Sequence, residues 1–402
     1  MIILLSIISL VIIVITSNVN MRSLLGTLAP SRFPPAPKMS KEKTMNAVVM
    51  YQHGSPDVLV YKNDFPAPEP ISKQVLCSVV GAGLNPVDFK MRKGPIHDTI
   101  YPKPKIIGSD FAGIVGSAPS DSKFKPGDKV FGMLPLLGSN YGSYAEYVCI
   151  DEKILALAPE NVDLETLAVI PLVACTIIQA LRPVVKCYGN SIKGKKILIQ
   201  AGSGGLGTMA IQYCANVLGM YVITTASPAN FNLLRSLGAS ELINYHDEAI
   251  EDRVKDIDVF LDTMGYVYED IVFKKNCTIL RKQGKLPSFY IRIASSPYGD
   301  NASSLSALSS DPLGLAIPEA RLDRMATGFT KTLMSSISFS FIKYIFVLVY
   351  PDADALNEIA DAIKKGLIRP IIQERFSMKD AKKAHTILES GHVVGKLLLL
   401  NQ

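Results

Sequence analysis

The chain has 402 residues, 48% of them apolar and 19% charged, with a formal net charge of +6. That length allows two or three domains, and the balance is that of an ordered globular protein, not a disordered one. No basic run with interleaved aromatics occurs, so nucleic-acid binding is set aside as a primary function.

Residues 2–15 are apolar apart from Ser6 and Ser9, and no charge precedes Arg22. The run is shorter than the roughly 20 apolar residues of a membrane span and lacks the basic start of a good signal peptide. Residues 1–20 read as a signal sequence or weak membrane anchor, implying an organelle (plastid or mitochondrion) or the endomembrane route. The alternative is a start at Met21 and a cytoplasmic protein. Residues 22–43, rich in Pro, Ser, Arg and Lys, read as a linker, so 1–43 are set apart from the fold.

Short β-like runs follow at 45–51, 74–80, 112–115, 129–131 and 145–150, bounded by turn residues such as Pro126, Gly127 and Asp128. This spacing predicts a compact β-rich domain. From Leu164 the texture changes. Residues 164–169 and 174–181 are helical, 196–200 is a buried strand and 205–218 a helix, and 221–225 and 231–237 repeat the pair. Alternating strands and helices mean βαβ units and a parallel sheet. The apolar stretch 335–350 reads as buried helix and strand, because Lys343 sits in its middle. Residues 353–364 form a helix closed by Gly366, and 396–400 a last strand.

The expected architecture is α/β: a β-rich catalytic domain over 44–172, a doubly wound nucleotide domain over 173–314, and a return to the catalytic domain over 315–402. The six cysteines, Cys77, Cys149, Cys175, Cys187, Cys214 and Cys277, are scattered, and none lies two residues from another. Such spacing supports neither a zinc ribbon nor a redox dithiol. Cys175 and Cys214 read as core thiols in a reduced compartment.

The sharpest motif is Gly202-Ser203-Gly204-Gly205-Leu206-Gly207, between a strand and a helix. Gly202 suits the tight turn, Gly204 lets backbone approach a pyrophosphate, and Gly207 lets helix pack on strand. An NAD site carries Asp or Glu about 20 residues on. Here residues 224–230 hold no acid. Ser227 and Asn230 are neutral donors for a 2′-phosphate, with Arg235 adding charge; alternatively Ser227 only caps the following helix.

Four further runs carry a resemblance: GLNPVDFK at 83–90, IGSDFAGIV at 107–115, FKPGDKV at 124–130 and ESGHVVGKL at 389–397. They resemble the quinone oxidoreductase branch of the medium-chain dehydrogenase/reductases, in particular plant alkenal/one oxidoreductases and chloroplast-envelope quinone oxidoreductase homologues. The resemblance covers about 45–285 and 350–400. It implies a GroES-like catalytic domain around a Rossmann domain, NADPH as cofactor, and a quinone or α,β-unsaturated carbonyl as substrate. A homodimer is compatible with it. Asn85 stands where zinc alcohol dehydrogenases carry Cys, and Ser109-Asp110 where they carry His-Glu, so no metal is expected.

The same resemblance assigns Asn85 and Lys90 to the catalytic site, with Lys90 reaching the nicotinamide ribose or the substrate carbonyl. It assigns Thr176 to the nicotinamide phosphate, Tyr245 to the adenosine ribose-phosphate, and Lys396 to the cofactor. Thr176 has a purely helical alternative, back-bonding within its own turn. Asp88 reads as a cap rather than an acid catalyst. Plant relatives often carry Arg where this chain has Ala229, and 288–300 departs from their glycine-rich nicotinamide loop. An enoyl-thioester reductase and a non-catalytic NADPH-binding scaffold remain open as alternatives.

Overall fold

In the computed structural model, residues 36–94, 103–136, 141–264, 268–272, 277–293 and 341–401 are described. The expected anchor at 1–20 and most of 288–345 lie outside them.

Among the described residues the first element is β1 (Lys38–Met50), which pairs antiparallel with β2 (Leu59–Glu69). This corrects the boundary at residue 43. Lys38 lies opposite Glu69 and Met39 opposite Pro68, and the register then slips before Thr44 meets Pro66. At the slip the Ser40 hydroxyl accepts the N–H groups of Glu42 and Lys43. Lysines on an exposed strand edge look like linker composition, yet they are a common way to guard such an edge.

The catalytic domain continues through β3 (Gln74–Gly83), α1 (Pro86–Lys93), β4 (Lys105–Ile106), β5 (Asp110–Ser117), β6 (Lys129–Met133), β7 (Tyr147–Asp151) and β8 (Leu155–Leu157). Strands β3, β5, β6 and β8 form an antiparallel run, with β7 on the other edge of β3. Their inward side chains, among them Val75, Cys77, Phe111, Val130 and Leu155, close one core together with Phe124 from the β5–β6 connection. A short helix, α2 (Leu164–Ala168), leads to α3 (Pro171–Tyr188), the long helix on which the two domains meet.

The nucleotide domain runs β9 (Lys196–Ile199), α4 (Gly205–Gln212), β10 (Tyr221–Ala226), α5 (Phe231–Ser236), β11 (Glu241–Asn244), α6 (Ile250–Arg253), β12 (Val259–Asp262), α7 (Glu269–Val272), β13 (Ser288–Ile293) and β14 (Ile342–Val347). All six strands are parallel, in the spatial order β11-β10-β9-β12-β13-β14. That is the doubly wound order of dinucleotide-binding sheets, with its switch point between β9 and β12. The sheet runs past the boundary expected at 314: Ile342 to Val347 pair in register with Ser288 to Ile293. An apolar run of this length does not choose between helix and strand by periodicity, and the ladder decides it.

From β14 the chain passes through α8 (Ala353–Lys364), packed on α3, and returns as β15 (Ile372–Ser377), α9 (Ala381–Glu389) and β16 (Lys396–Leu400). Gln179 of α3 clamps the return segment by bonding both the N–H and the C=O of Tyr350. Gln212 does the same to Arg369. Strand β16 joins the catalytic sheet antiparallel to β3. The largest core then spans both sheets, with Phe131 and Met133 on one side of α3 and Ile197, Ile199 and Leu261 on the other. Among the described residues, the helical span 171–192 that contains α3 is long and apolar enough to cross a bilayer, but it is a core helix here.

A chain starting at Met45 should melt a few degrees below one starting at Ala36, because it loses the first β1–β2 pairs. Equal melting temperatures would show that residues 36–44 add nothing to the fold.

Candidate active site

The site lies where the carboxyl ends of the parallel strands face the catalytic domain, as the doubly wound rule requires. Strand β9 leads through Gln200 and Ala201 into the glycine loop. The left-handed backbone conformation of this turn falls on Ala201, with φ of 50°. Gly202 is required sterically: a Cβ there would stand 2.2 Å from Thr224 Oγ1. Gly207 is required by helix–strand packing, since its Cβ would fall 2.3 Å from Ala201 O. Gly204 differs from both, because its Cβ would meet only Ala201 O, at 3.4 Å. It is the N-cap of α4 and makes no side-chain hydrogen bond there.

Across this loop runs the dipeptide Gly395-Lys396. The Gly395 N–H donates to Ser203 O at 2.8 Å, and Gly204 and Gly395 form a parallel bridge. The Lys396 stem then fills the space beside Gly205, where a Cβ would stand 2.5 Å from Lys396 Cδ. Its ammonium reaches into the catalytic domain and donates to Asn85 Oδ1 and, at 3.3 Å, to Asp110 Oδ2.

Asn85, Asp110 and Lys396 form one buried cluster, with exposures of 1%, 0% and 6%. Asn85 Nδ2 donates to Asp110 Oδ2 at 2.8 Å, and Asp110 Oδ1 accepts the Leu172 N–H at 2.7 Å. A β5 carboxylate thus caps α3, whose N-cap residue Ile170 offers no side-chain bond. Burial pushes the Asp110 carboxyl up from its ordinary value, while the Lys396 charge and the Asn85 and Leu172 hydrogen bonds pull it back.

Beneath the cluster lies a second polar chain. The Asp88 carboxylate accepts the Asn85 N–H at 2.8 Å and the Tyr144 hydroxyl at 3.0 Å. The Tyr144 oxygen lies 3.2 Å from His385 Nε2. Asp88 therefore caps α1, as its position predicts. Asp88 Oδ1 and Ser109 Oγ are buried without a hydrogen-bond partner among the described residues, and both residues line a small pocket with Met91, Ile107, Leu134 and Tyr141. Burial pushes Asp88 up to about 7, reinforced by the Asp110 charge and opposed by its two donors and by Lys396. Burial drives His385 the other way, to about 3, aided by the Arg92 charge.

Of the expected catalytic pair, Asn85 has both ends of its amide engaged. Lys90 stands more than a turn further along α1, half-buried. The Thr176 hydroxyl donates to Leu172 O at 2.7 Å, and the residue is 2% exposed, so the helix itself uses that group. Ser227 and Tyr245 are brought together, with their oxygens 3.1 Å apart. Asn230 lies in the short 3-10 turn that follows Ser227, and Arg235 lies over the Phe231 ring.

Two residues escaped the sequence reading. Asp110 served there only to mark a zinc-ligand position, though an acid within an apolar β run was itself a signal. His246, beside Tyr245 in Asn-Tyr-His, lies 3.4 Å from Ser227 Oγ. No group of three His, Cys, Asp or Glu side chains able to hold a metal occurs among the described residues. Cys175 and Cys214 are buried thiols, and burial pushes Cys175 up to about 12.

Two family models match the chain: "Alcohol dehydrogenase GroES-like domain" over residues 72–160 and "Zinc-binding dehydrogenase" over residues 237–399. The chain is 31% identical to the NADPH-dependent alkenal/one oxidoreductase, chloroplastic, of Arabidopsis thaliana, over 89% of its own length and 80% of that protein. It is 30% identical to the mitochondrial NAD(P)H oxidoreductase RTN4IP1 of Danio rerio, over 90% of its length and 92% of that protein. Among solved structures, the quinone oxidoreductase of Coxiella burnetii superposes with a TM-score of 0.69 at 27% identity, covering 90% of this chain and all of that one.

Lys396→Met should cost about 3–5 kcal/mol of stability, because it leaves the Asp110 charge buried and unpaired. Adding Asp110→Asn should recover most of that loss. Wild-type thermal stability in the single variant would show that the ion pair is dispensable.

A carboxyl held above its ordinary value keeps its proton when folded after the unfolded chain has lost it. Asp88 therefore makes stability fall as pH rises from about 4 to about 7. His385 acts with the opposite sign: the unfolded chain takes up its proton first, so stability falls as pH drops from about 6.5 to about 3. The melting temperature of Asp88→Asn relative to wild type should rise across the Asp88 window and then level off. A pH-independent difference would remove Asp88 from the account.

Proposed function

The chain belongs to the medium-chain dehydrogenase/reductase family, and on that premise we propose that it is an NADPH-dependent, metal-free reductase of an activated carbon–carbon double bond or a quinone. Its substrate is a small α,β-unsaturated carbonyl compound or a quinone. What supports this most is one juxtaposition: the glycine loop, whose helix start has no side-chain cap, lies beside the Asn85–Asp110–Lys396 cluster, and Gly395-Lys396 links the two.

The residues present fit NADPH. Gly204 leaves room for a pyrophosphate, and the start of α4 offers N–H donors and the positive end of a helix dipole. Gly202, Ser203, Gly205, Leu206 and Gly207 shape that loop, and the Lys396 stem borders it. At the end of β10, Ser227, Asn230 and Tyr245 present neutral donors with no carboxylate to repel a 2′-phosphate. When bound, NADPH supplies the hydride that a conjugated acceptor takes at its β-carbon. Thr176, whose hydroxyl is already engaged, is left out of the contact set.

Asn85 acts by position, holding Lys396 against Asp110. Lys90 stabilises negative charge on the substrate carbonyl oxygen as it develops. Metal is unnecessary, because the acceptor's own carbonyl polarises the alkene. Where zinc enzymes place thiolate and imidazole, this cleft has Asn85 and Ser109, which assemble no soft tetrahedral site. The chloroplastic and mitochondrial relatives support an organelle destination for the leading segment.

The test is NADPH oxidation by the full-length protein against a panel of quinones, enals, enones and enoyl-CoA thioesters, with metal analysis of the same sample. Turnover of the first three classes without stoichiometric zinc is expected. Turnover of enoyl-CoA alone would shift the substrate class. Tight NADPH binding with no turnover would favour a scaffold, and one zinc per chain in the cleft would overturn the metal-free assignment.

A further inference from the structure

The turn after β11 is closed by its own groups. The Asn244 carbonyl accepts the N–H groups of Asp247 and Glu248 at 3.2 and 3.0 Å, and its side-chain oxygen accepts the His246 N–H at 3.2 Å. Neither aromatic tip is needed to hold it. Tyr245 and His246 nonetheless project together, with ring centres 4.2 Å apart, and Tyr245 is 53% exposed. The Ser227 hydroxyl, from the end of β10, lies 3.1 Å from the Tyr245 hydroxyl and 3.4 Å from His246 Nε2. Three polar tips with no negative charge thus converge where the second strand of the nucleotide sheet ends, the place where the adenosine ribose of a dinucleotide is read.

We propose that His246 is a ligand of the 2′-phosphate beside Ser227 and Tyr245, and that its charge sets how far the protein prefers NADPH over NADH. This rests on the NADPH reading above and names the residue that enforces it.

The charged groups around the turn are otherwise engaged. Asp247 takes the Asn244 amide, and Glu248 accepts the Asn244 N–H and pairs with Arg253 of α6. Arg253 also faces Glu241 at 3.6 Å, and Arg235 of α5 lies 5.8 Å over the Phe231 ring. His246 is therefore the member of the triad able to carry positive charge, and a histidine gains that charge as pH falls. A phosphate monoester behaves oppositely, gaining its second charge above about pH 6. A fixed cation would make NADPH preference grow with pH, whereas a histidine makes it shrink. The sign of the slope separates the two.

Dissociation constants of NADPH and NADH for the full-length protein, by titration calorimetry at low ionic strength, give the preference at about pH 6 and about pH 8. The preference should fall by about tenfold across that range. His246→Gln should lower it and abolish the fall. His246→Lys should keep it high at both pH values, with no fall. His246→Gln with the wild-type preference and slope would overturn the proposal while leaving the NADPH reading intact. A folded wild type that binds neither nucleotide would overturn the reading itself, and the proposal with it.

Discussion

Burying a carboxylate costs several kcal/mol unless its oxygens find donors. The donors that Asp110 finds come from three distant parts of the chain. Asn85 starts α1, Leu172 starts α3, and Lys396 starts β16. No two of them are held together by local structure, so this carboxylate fixes the catalytic sheet, the interdomain helix and the last strand against one another. The relation between the glycine loop and the catalytic cleft follows from that fixation. Lys396 is the one member with a foot in each, its stem against Gly205 and its ammonium on Asp110.

The same arrangement leaves the cluster itself electrostatically quiet. A buried ion pair and a fully engaged amide present little net charge to a ligand. The groups that could distinguish one nucleotide from another stand instead at the rim, on the ends of β10 and β11. Below the cluster, Asp88 and His385 share a hydrogen-bonded chain through Tyr144, and burial pushes the Asp88 carboxyl up to about 7 and the His385 imidazole down to about 3.

Much of this was legible in the sequence. The strand–glycine–helix order placed the glycine loop between β9 and α4, the alternation after Leu164 gave the parallel sheet, and the resemblance carried by GLNPVDFK singled out Asn85, which lies in the buried cluster. What stayed hidden depends on pairings across long separations. Asn85 and Lys396 are 311 positions apart, and no periodicity reports such a contact. Strand β14 was an apolar run until its ladder with β13 gave it a direction, and the start of β1 had the composition of a linker. Thr176 illustrates the reverse: a family position suggested a ligand, while the commonest local bond of a helical threonine had already claimed the hydroxyl.

The contact between Ser203 and Gly395 has a consequence for the order in which the molecule is made. All six strands of the nucleotide sheet precede Gly395 in the chain, so that sheet can assemble while the loop still lacks its cover. The bridge to Gly204 and the Lys396 stem beside Gly205 arrive only with β16, which must first find its place on β3. During synthesis, then, the nucleotide half can fold early, but the finished cofactor site is among the last parts to appear. A nascent chain halted before β16 would carry the glycine loop without the segment that joins it to the cleft.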